Sequence, residues 1–554
     1  MRRWLFIAAV LLCAPLARAT TYTAATCGYT DVSNAIGMVS ADGDTVVIPP
    51  GDCTWASVLT VTQTYSYTIQ GSGAIYASDS VAAGQGSDVT IIEDNASSGN
   101  NGFISITTAA GKSLRITAIA FKLNSSNSNV PYNGDIYITG ASTAVRFDHN
   151  HMNDIPGHAV QFNCVRGVAD HNQWDLGNSG LGTTDGFLVQ SSNCTGDADK
   201  YGNTEWTQAT GFGGSGFFFF EQESFTALSG LNGAYAGDCS VGGKFVIRFS
   251  NAWYHVLLVT HGTRSDDYRG CRAAEEYQNT YTYSGSPGSD DGNTWVQSES
   301  GPSLHWGNTF TAYVAPFQAD IVRTNNVTYS ETAPPNGWGY CGPSIGGVPG
   351  NTAWDSNLDA TGRACLDSVG RGAGDLLSGV FPTKCDSTLG CPSYSGSWPN
   401  QASEPVYIWD TTYNAPAHEG NDTFISLYPQ GANGPAILEN QDYYLQCPNY
   451  NEPSCTFNGS ISGSTHGGVG QGTLASKPAT CTPYVGYWAT DQGSWNQSGS
   501  GGQGVLYVCT ATNTWTSYYT PYTYPHPLNT TASQAGGVAS GVGLASGTAI
   551  KPKF

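Results

Sequence analysis

Charge is scarce in this sequence. Lys, Arg, Asp and Glu make up 11% of its residues, with 21 cations against 42 acids. A chain so poor in lysine and arginine lacks the basic face that phosphate backbones require, which argues against nucleic acid as a partner. Helical periodicity is equally scarce. The short candidate is Asp31–Ser40, with Val32, Ala35, Ile36 and Val39 on one face. Crossover helices for a doubly wound sheet are missing, so an α/β fold gives way to an all-β one. Beyond the N-terminus no apolar run is long enough to span a bilayer, and no transmembrane segment is expected. The cysteines show no CxxC repeat and no His–Cys spacing, which leaves structural zinc as a weak rival to disulfides.

What is present points to export. Arg2 and Arg3, the apolar stretch Trp4–Leu16 and the small-x-small Ala17-Arg18-Ala19 read as a signal peptide over residues 1–19. Cys13 raises a lipoprotein reading, but Leu12 precedes it where a small residue is expected. Loss of Cys13 from the 15 cysteines leaves 14, an even number that reads as disulfides in a secreted, extracellular or periplasmic chain. Cys385/Cys391, Cys447/Cys455 and Cys481/Cys509 are close enough in sequence to pair. The formal charge of −21 becomes −24 once Arg2, Arg3 and Arg18 leave. A local arginine cluster can still reverse that field within one groove. Seventy glycines, 31 tyrosines and 14 tryptophans describe a turn-rich β protein with aromatic surfaces.

A repeat organises the middle of the chain. Asp148-His149-Asn150-His151-Met152, Asp170-His171-Asn172-Gln173-Trp174, Phe249-Ser250-Asn251-Ala252-Trp253, Tyr277-Gln278-Asn279-Thr280-Tyr281 and Trp306-Gly307-Asn308-Thr309-Phe310 share an Asn followed two residues later by a large apolar group. The Asn spacings are 22, 79, 28 and 29, and the long gap holds a weaker copy at Gln222–Phe225. A period in the twenties, with strand-like runs such as Val145–Phe147, Ala159–Phe162, Phe217–Phe220, Phe245–Phe249 and Val256–Thr260 between copies, predicts the coils of a parallel β-helix. A propeller or sandwich is the rival architecture. The asparagines read as structural corners that tolerate the left-handed conformation and ladder from coil to coil.

The amphipathic segment runs into Asp42-Gly43-Asp44-Thr45-Val46-Val47-Ile48-Pro49-Pro50-Gly51, a strand and turn. This combination resembles the N-terminal cap and first coil of pectate-lyase-like β-helix proteins. The stretch His261-Gly262-Thr263 … Arg269-Gly270-Cys271-Arg272 … Glu275 and the ending Tyr522-Thr523-Tyr524-Pro525-His526-Pro527-Leu528 resemble uncharacterised secreted bacterial β-helix proteins. The resemblance covers Thr20 to Tyr329 in architecture and implies a right-handed parallel β-helix. The residue pattern extends the expected solenoid over 20–430, with a disulfide-pinned excursion near 330–400. An aromatic β cap or arm follows at 431–530, and the composition of 531–554 reads as a disordered tail. The resemblance supplies no matching catalytic motif.

Candidate chemistry concentrates in residues 260–277, where His261, Arg264, Asp266, Asp267, Tyr268, Arg269, Arg272, Glu275, Glu276 and Tyr277 lie close together in an otherwise charge-poor chain. In a functional reading the arginines bind a polymer's carboxylates or sulfates. In a structural one they neutralise the neighbouring acids. In a strand Arg272 and Glu276 stand ~13 Å apart and do not pair. Alternation sends Glu275 and Glu276 to opposite faces, so one points inward and needs a partner. A second cluster, His149, His151, His158 and His171 with Asp148 and Asp170, reads as one polar coil face or, less simply, a metal ladder. Asp185 and Asp238 complete the acids within reach, Trp253 offers a stacking platform, and His466 and His526 read as structural.

Three functions follow, all with extracellular polysaccharide as the partner and a monomer as the expected state. The first is a lyase that cleaves an acidic, uronate-containing polysaccharide by β-elimination. Its base would be His261, its charge neutralisers Arg269 and Arg272, and its acid Tyr268 or Tyr277. Glu275 would also serve catalysis, with Arg264, Asp185, Asp238, Tyr268 and Trp253 binding substrate. Calcium at Asp238 or Asp266 could replace the arginines. The second is a glycoside hydrolase with paired carboxylates from Asp185, Asp238, Asp266, Glu275 and Glu276. The third is a non-catalytic, adhesin-like glycan-binding solenoid.

Overall fold

The computed structural model describes residues 18–72, 88–97, 102–124, 126–128, 134–153, 155, 157–177, 184–192, 194, 204–227, 234–253, 256–262, 269–283, 295–320, 367–374, 402–414, 424–428, 437–448, 453–461 and 467–530. Among them the strands form three stacked parallel sheets of twelve, ten and ten strands, called here A, B and C. Each coil visits the three in turn. Ala144–Asp148 of sheet A leads to His151–Asn153 of B and Gly157–Asn163 of C, and Gly167–Asp170 then pairs in parallel with the first strand to open the next coil. The chain is all-β and folds as a right-handed parallel β-helix, the solenoid that the repeat predicts.

Alternation along each strand explains the packing. Val145 and Phe147, Val160 and Phe162, and Phe187 and Val189 point into one continuous apolar core. Rings from successive coils stack there, with centroids 6.2 Å apart for Phe147 and Trp174 and 5.7 Å for Trp174 and Phe225. Each such ring contributes roughly 1.5–3 kcal/mol by burial. The cap helix runs over Tyr29–Gly37, a little earlier than its periodicity predicts, and buries Val32, Ala35 and Ile36 against the first coil. A disulfide between Cys27 and Cys53 ties it down.

The corners between sheets A and B differ from expectation in an instructive way. The left-handed residue is the one before the asparagine: His149, His171, Gln222, Phe249 and Gln278 have φ between 54° and 59°. The asparagines themselves turn inward and ladder. Asn172 Oδ1 accepts from the Asn150 backbone N–H at 2.9 Å, and Asn308 Oδ1 from that of Asn279 at 3.0 Å. Their side-chain amides donate to carbonyls of the coil before, such as Asn279 to Ile247. Glu223 and Ser250 take the same place in the intervening coils. Asn251 therefore lies one residue beyond the ladder, a register that the Asn count alone misassigns.

Glu275 and Glu276 do face opposite ways. Glu276 enters the core, where Tyr281 and Trp295 donate to it and His305 Nδ1 lies 2.8 Å away. Its neighbours are these groups and not an arginine. Glu275 points outward but is covered. After the last sheet-A strand, Tyr443–Leu445, the chain forms a four-stranded sheet of Val469–Gly472, Gly486–Ala489, Val505–Ala511 and Thr514–Tyr519. Trp488, Trp495, Leu506 and Tyr519 of this arm pack on Phe219, Val246, Tyr277, Trp306 and Trp409 of sheet A. The outer face of A is thereby closed over the middle and later coils. Within 330–400 only 367–374 are described, and they dock through a bridge between Val369 and Gly301.

Five disulfides occur among the described residues: Cys27–Cys53, Cys164–Cys194, Cys239–Cys271, Cys447–Cys455 and Cys481–Cys509. Two are pairs read from the sequence, and Cys385/Cys391 lies outside the described residues. Such crosslinks persist in oxidising compartments, which fits an exported chain. No helix among the described residues is long and apolar enough to cross a membrane.

Candidate active site

The arm packs on sheet A, and on the outer face of sheet C two histidines and two aspartates meet. His158 and Asp185 are direct register partners on adjacent strands, 27 positions apart in sequence and one coil apart in space. Their Nε2 and Oδ2 atoms are 3.0 Å apart. Asp238, on the next strand, approaches the same Nε2 to 3.8 Å and faces His261 Nδ1 at 2.7 Å. His261 follows the strand Val256–Thr260, whose Val259 pairs with Asp238, so the two residues stand on one face of neighbouring coils. The result is a chain Asp185–His158–Asp238–His261.

Burial sorts these four groups. The side chains of Asp185 and Asp238 are 12% and 7% exposed, and those of His158 and His261 are 17% and 21% exposed. Carboxylates therefore lie below and imidazoles above. Burial opposes a charge on His158, but the Asp185 and Asp238 carboxylates override it and lift the imidazole to about 10. Burial likewise works against the Asp238 anion, yet His261 and His158 hold its carboxyl well below the usual carboxylate range. At neutral pH His158 is thus an imidazolium beside an ionised Asp238. The strands of sheet C contain no lysine or arginine, so His158 is the fixed positive charge among them.

Polar side chains extend this face. Gln161 donates to Gln190 and Gln190 to Ser240, both at 2.8 Å. Asn163 donates to the Tyr137 hydroxyl at 3.1 Å. Tyr235 stands in register with Asp185, half-buried between the inward-facing Ala234 and Ala236. Neither Tyr235 nor the pairing of His158 with Asp185 was drawn from the sequence. The one-coil spacing of His158 and Asp185, and the alternation Ala234-Tyr235-Ala236, were the signals for them.

The other residues singled out from the sequence go elsewhere. Arg269 and Arg272 are fully buried. Arg269 makes a bidentate pair with Asp367 at 2.6 and 2.7 Å, and Arg272 donates to Glu404 and to the carbonyls of Glu205 and Gln208. Both guanidiniums lie over the Trp206 ring, 5.0 and 5.1 Å from its centroid. Glu275 accepts from Gly213 N–H at 2.7 Å and the Tyr519 hydroxyl at 2.9 Å beneath the arm. Tyr277 stacks on Trp306 there and meets Arg248. These four cannot touch a polymer in this arrangement, because each is sealed by packing. Trp253 is 39% exposed on sheet B. Arg264, Asp266, Asp267, Tyr268 and His466 lie outside the described residues.

The four histidines of the second cluster separate onto three surfaces. His149 and His171 stack at the A–B corner with centroids 5.0 Å apart, each beside its preceding aspartate. Arg115 and Arg146 already clasp those aspartates bidentately. His151 lies on sheet B between Asp88 and Asp175, which raise it to about 9 against the effect of burial. The donor atoms of His158, Asp185 and Asp238 lie within 4.8 Å of one another. With an imidazole nitrogen at its centre, that set departs from the all-oxygen cage that calcium prefers.

No family model matches the chain, and no curated protein matches it. Among solved structures, the alginate lyase from Paenibacillus sp. str. FPU-7 is similar at 11% identity, covering 55% of this chain and 81% of that one, with a TM-score of 0.23.

Proposed function

We propose that the chain is a secreted polysaccharide lyase that cleaves an acidic, uronate-containing polymer by β-elimination on the outer face of sheet C. The observation that carries this reading is the approach of His261 Nδ1 to Asp238 at 2.7 Å on the outer face of sheet C, with the imidazole 21% exposed. The Asp238 carboxylate beside Nδ1 favours a proton on that nitrogen electrostatically, and so the tautomer whose lone pair is on Nε2. Nε2 takes the proton α to the uronate carboxyl, and Asp238 stabilises the imidazolium that forms. Electrons from the C–H bond form the C4–C5 double bond as the C4–O bond breaks. The leaving oxygen takes a proton from a phenol, for which Tyr235 is the candidate on this face. His158, held as an imidazolium by Asp185, places positive charge where negative charge grows on the substrate carboxyl.

The same geometry weighs against paired-carboxylate hydrolysis. Glycosidase carboxylates stand roughly 5–5.5 or 6.5–9.5 Å apart with sugar or water between them, and one must be protonated. Here the Asp185 and Asp238 oxygens come within 4.8 Å with His158 among them, and Asp238 is held ionised. The test is to incubate the purified mature chain with a panel of acidic and neutral polysaccharides, with and without a chelator. Ultraviolet absorbance and reducing ends should rise together on an acidic polymer and vanish in His261→Ala. Reducing ends without absorbance would make it a hydrolase. Retention on a glycan without product, unchanged in His261→Ala, would make it a binding protein.

A further inference from the structure

We infer that the Cys239–Cys271 disulfide is a positioning device for His261, holding its imidazole over Asp238; this rests on the proposed role of that pair. The two bridged cysteines hold the His261 backbone from both sides. Its N–H donates to the Cys239 carbonyl at 2.9 Å, and its carbonyl accepts from the Cys271 N–H at 2.8 Å. Cys239 and Cys271 are themselves joined, with Cα atoms 5.1 Å apart. Asp238 immediately precedes the first cysteine. One covalent link therefore fixes the carboxylate's strand, the histidine and the returning chain to one another.

The surrounding contacts make this link a rigid collar. Val241 and Gly242 N–H groups donate to the carbonyls of Arg269 and Gly270 at 3.0 and 2.8 Å, zipping the turn after Cys239 to the segment before Cys271. Asp367 clasps Arg269 and also accepts from the Gly270 N–H at 3.2 Å. Gly262 N–H donates to Glu299 Oε2 at 3.0 Å on the other side. There is no slack for side chains in between. A Cβ on Gly243 would stand 2.2 Å from the Val189 carbonyl oxygen, and one on Gly270 2.1 Å from Ser300 Oγ. In this arrangement the buried Arg269 serves the histidine and not the substrate. A displacement of about 1 Å at a reacting group can cost on the order of a hundredfold in rate, so loss of the crosslink should appear in turnover.

The experiment compares wild type with Cys239→Ala/Cys271→Ala and with the control Cys27→Ala/Cys53→Ala, whose bridge lies at the cap. On a polymer that the wild type cleaves, the site variant should lose at least tenfold in kcat with KM changed less than about threefold, while the control keeps its kcat. Proton NMR of the His261 ring provides a readout independent of turnover. The slowly exchanging Nδ1–H signal should be present in wild type and control, and absent in the site variant and in Asp238→Asn. If the signal and kcat both survive in the site variant, the inference is overturned. If the signal is lost as expected but no polymer is cleaved by any form, the positioning stands and the lyase reading fails. Should the double alanine variant not fold, Cys239→Ser/Cys271→Ser and Arg269→Lys, which loosen the same collar, carry the same comparison.

Discussion

Glu275 sits where an apolar residue would be at home, and its charge should govern how firmly the arm holds. On the outer face of sheet A it falls in a row with Val168, Phe219, Val246 and Leu304, all buried beneath the arm. Burial raises its carboxyl to about 7 from an ordinary 4.5, although the Gly213 N–H, the Tyr519 hydroxyl and Arg248 pull the other way. The folded state therefore binds a proton that the unfolded state has lost between these values. The contribution of Glu275 to stability must fall as pH rises from 4.5 to 7, by about 3 kcal/mol in total, and stay lower above that. Glu275→Gln keeps an acceptor for Gly213 and a polar group for Tyr519 but has no charge. Its advantage over wild type should be close to nil at pH 4.5 and reach about 3 kcal/mol at pH 8. Urea denaturation at both pH values, followed by tryptophan emission from the interface of Trp306, Trp488 and Trp495, measures this difference. A gain that is equal at the two pH values, or absent at pH 8, would refute the reasoning. Lyase activity should stay within twofold of wild type, and a hundredfold loss would instead return Glu275 to the catalytic set.

Asp238→Asn should lower kcat by about 10²- to 10⁴-fold on a cleaved uronate polymer, since the amide supports the wrong histidine tautomer; steady-state kinetics with KM little changed is the check. Arg269→Ala leaves Asp367 buried without its guanidinium and should destabilise by roughly 3–5 kcal/mol. His261→Ala, on a partly exposed ring, should stay within about 1 kcal/mol by chemical denaturation. His526, lowered to about 3 by burial and by Arg248, adds stability that is lost as pH falls from 6.5 toward 3. Its slope opposes that of Glu275 between 4.5 and 6.5, so arm docking should be nearly pH-independent in that window. Below it docking should weaken, and His526→Phe should flatten the acid limb of a thermal-unfolding profile.

The solenoid was legible because its physics is periodic. One coil takes some two dozen residues, and apolar alternation with a large ring after each corner repeats at that distance. The site was only half legible. His261, Asp185 and Asp238 carry recognisable chemistry, but what joins them is stacking between coils, with 27 residues separating His158 from Asp185 and 23 separating Asp238 from His261. Reading along the chain favours neighbours in sequence, which is how His158 was grouped with His149 and His151 although strand alternation and the corner send them to three surfaces. Arg269, Arg272, Glu275 and Tyr277 were drawn to catalysis by their density. Nothing local in the sequence announces that residues 367, 404 and 519 return to cover them. Long-range closure of this kind is a property of the arm and the excursion, and strand periodicity does not encode it.

The scarcity of cations acquires a meaning once their places are known. Arg115, Arg146, Arg166, Arg248, Arg269 and Arg272 each face an acid of another coil or segment, Asp148, Asp170, Glu205, Glu221, Asp367 and Glu404 respectively. Guanidinium keeps its charge at any physiological pH, and here that constancy is spent on clamps between parts of the fold. The strands of sheet C are left with imidazoles, and the charge of His158 is held against burial by the Asp185 and Asp238 carboxylates. In the proposed reaction this face holds His158 cationic while His261 takes the proton. His158 lies against two carboxylates, Asp185 and Asp238, and His261 lies against Asp238. Exchanging Asp185 for Asn should therefore erase the distinction, weakening the charge on His158 while leaving the Asp238–His261 contact in place. The proposed elimination would then lose its charge neutraliser and keep its base.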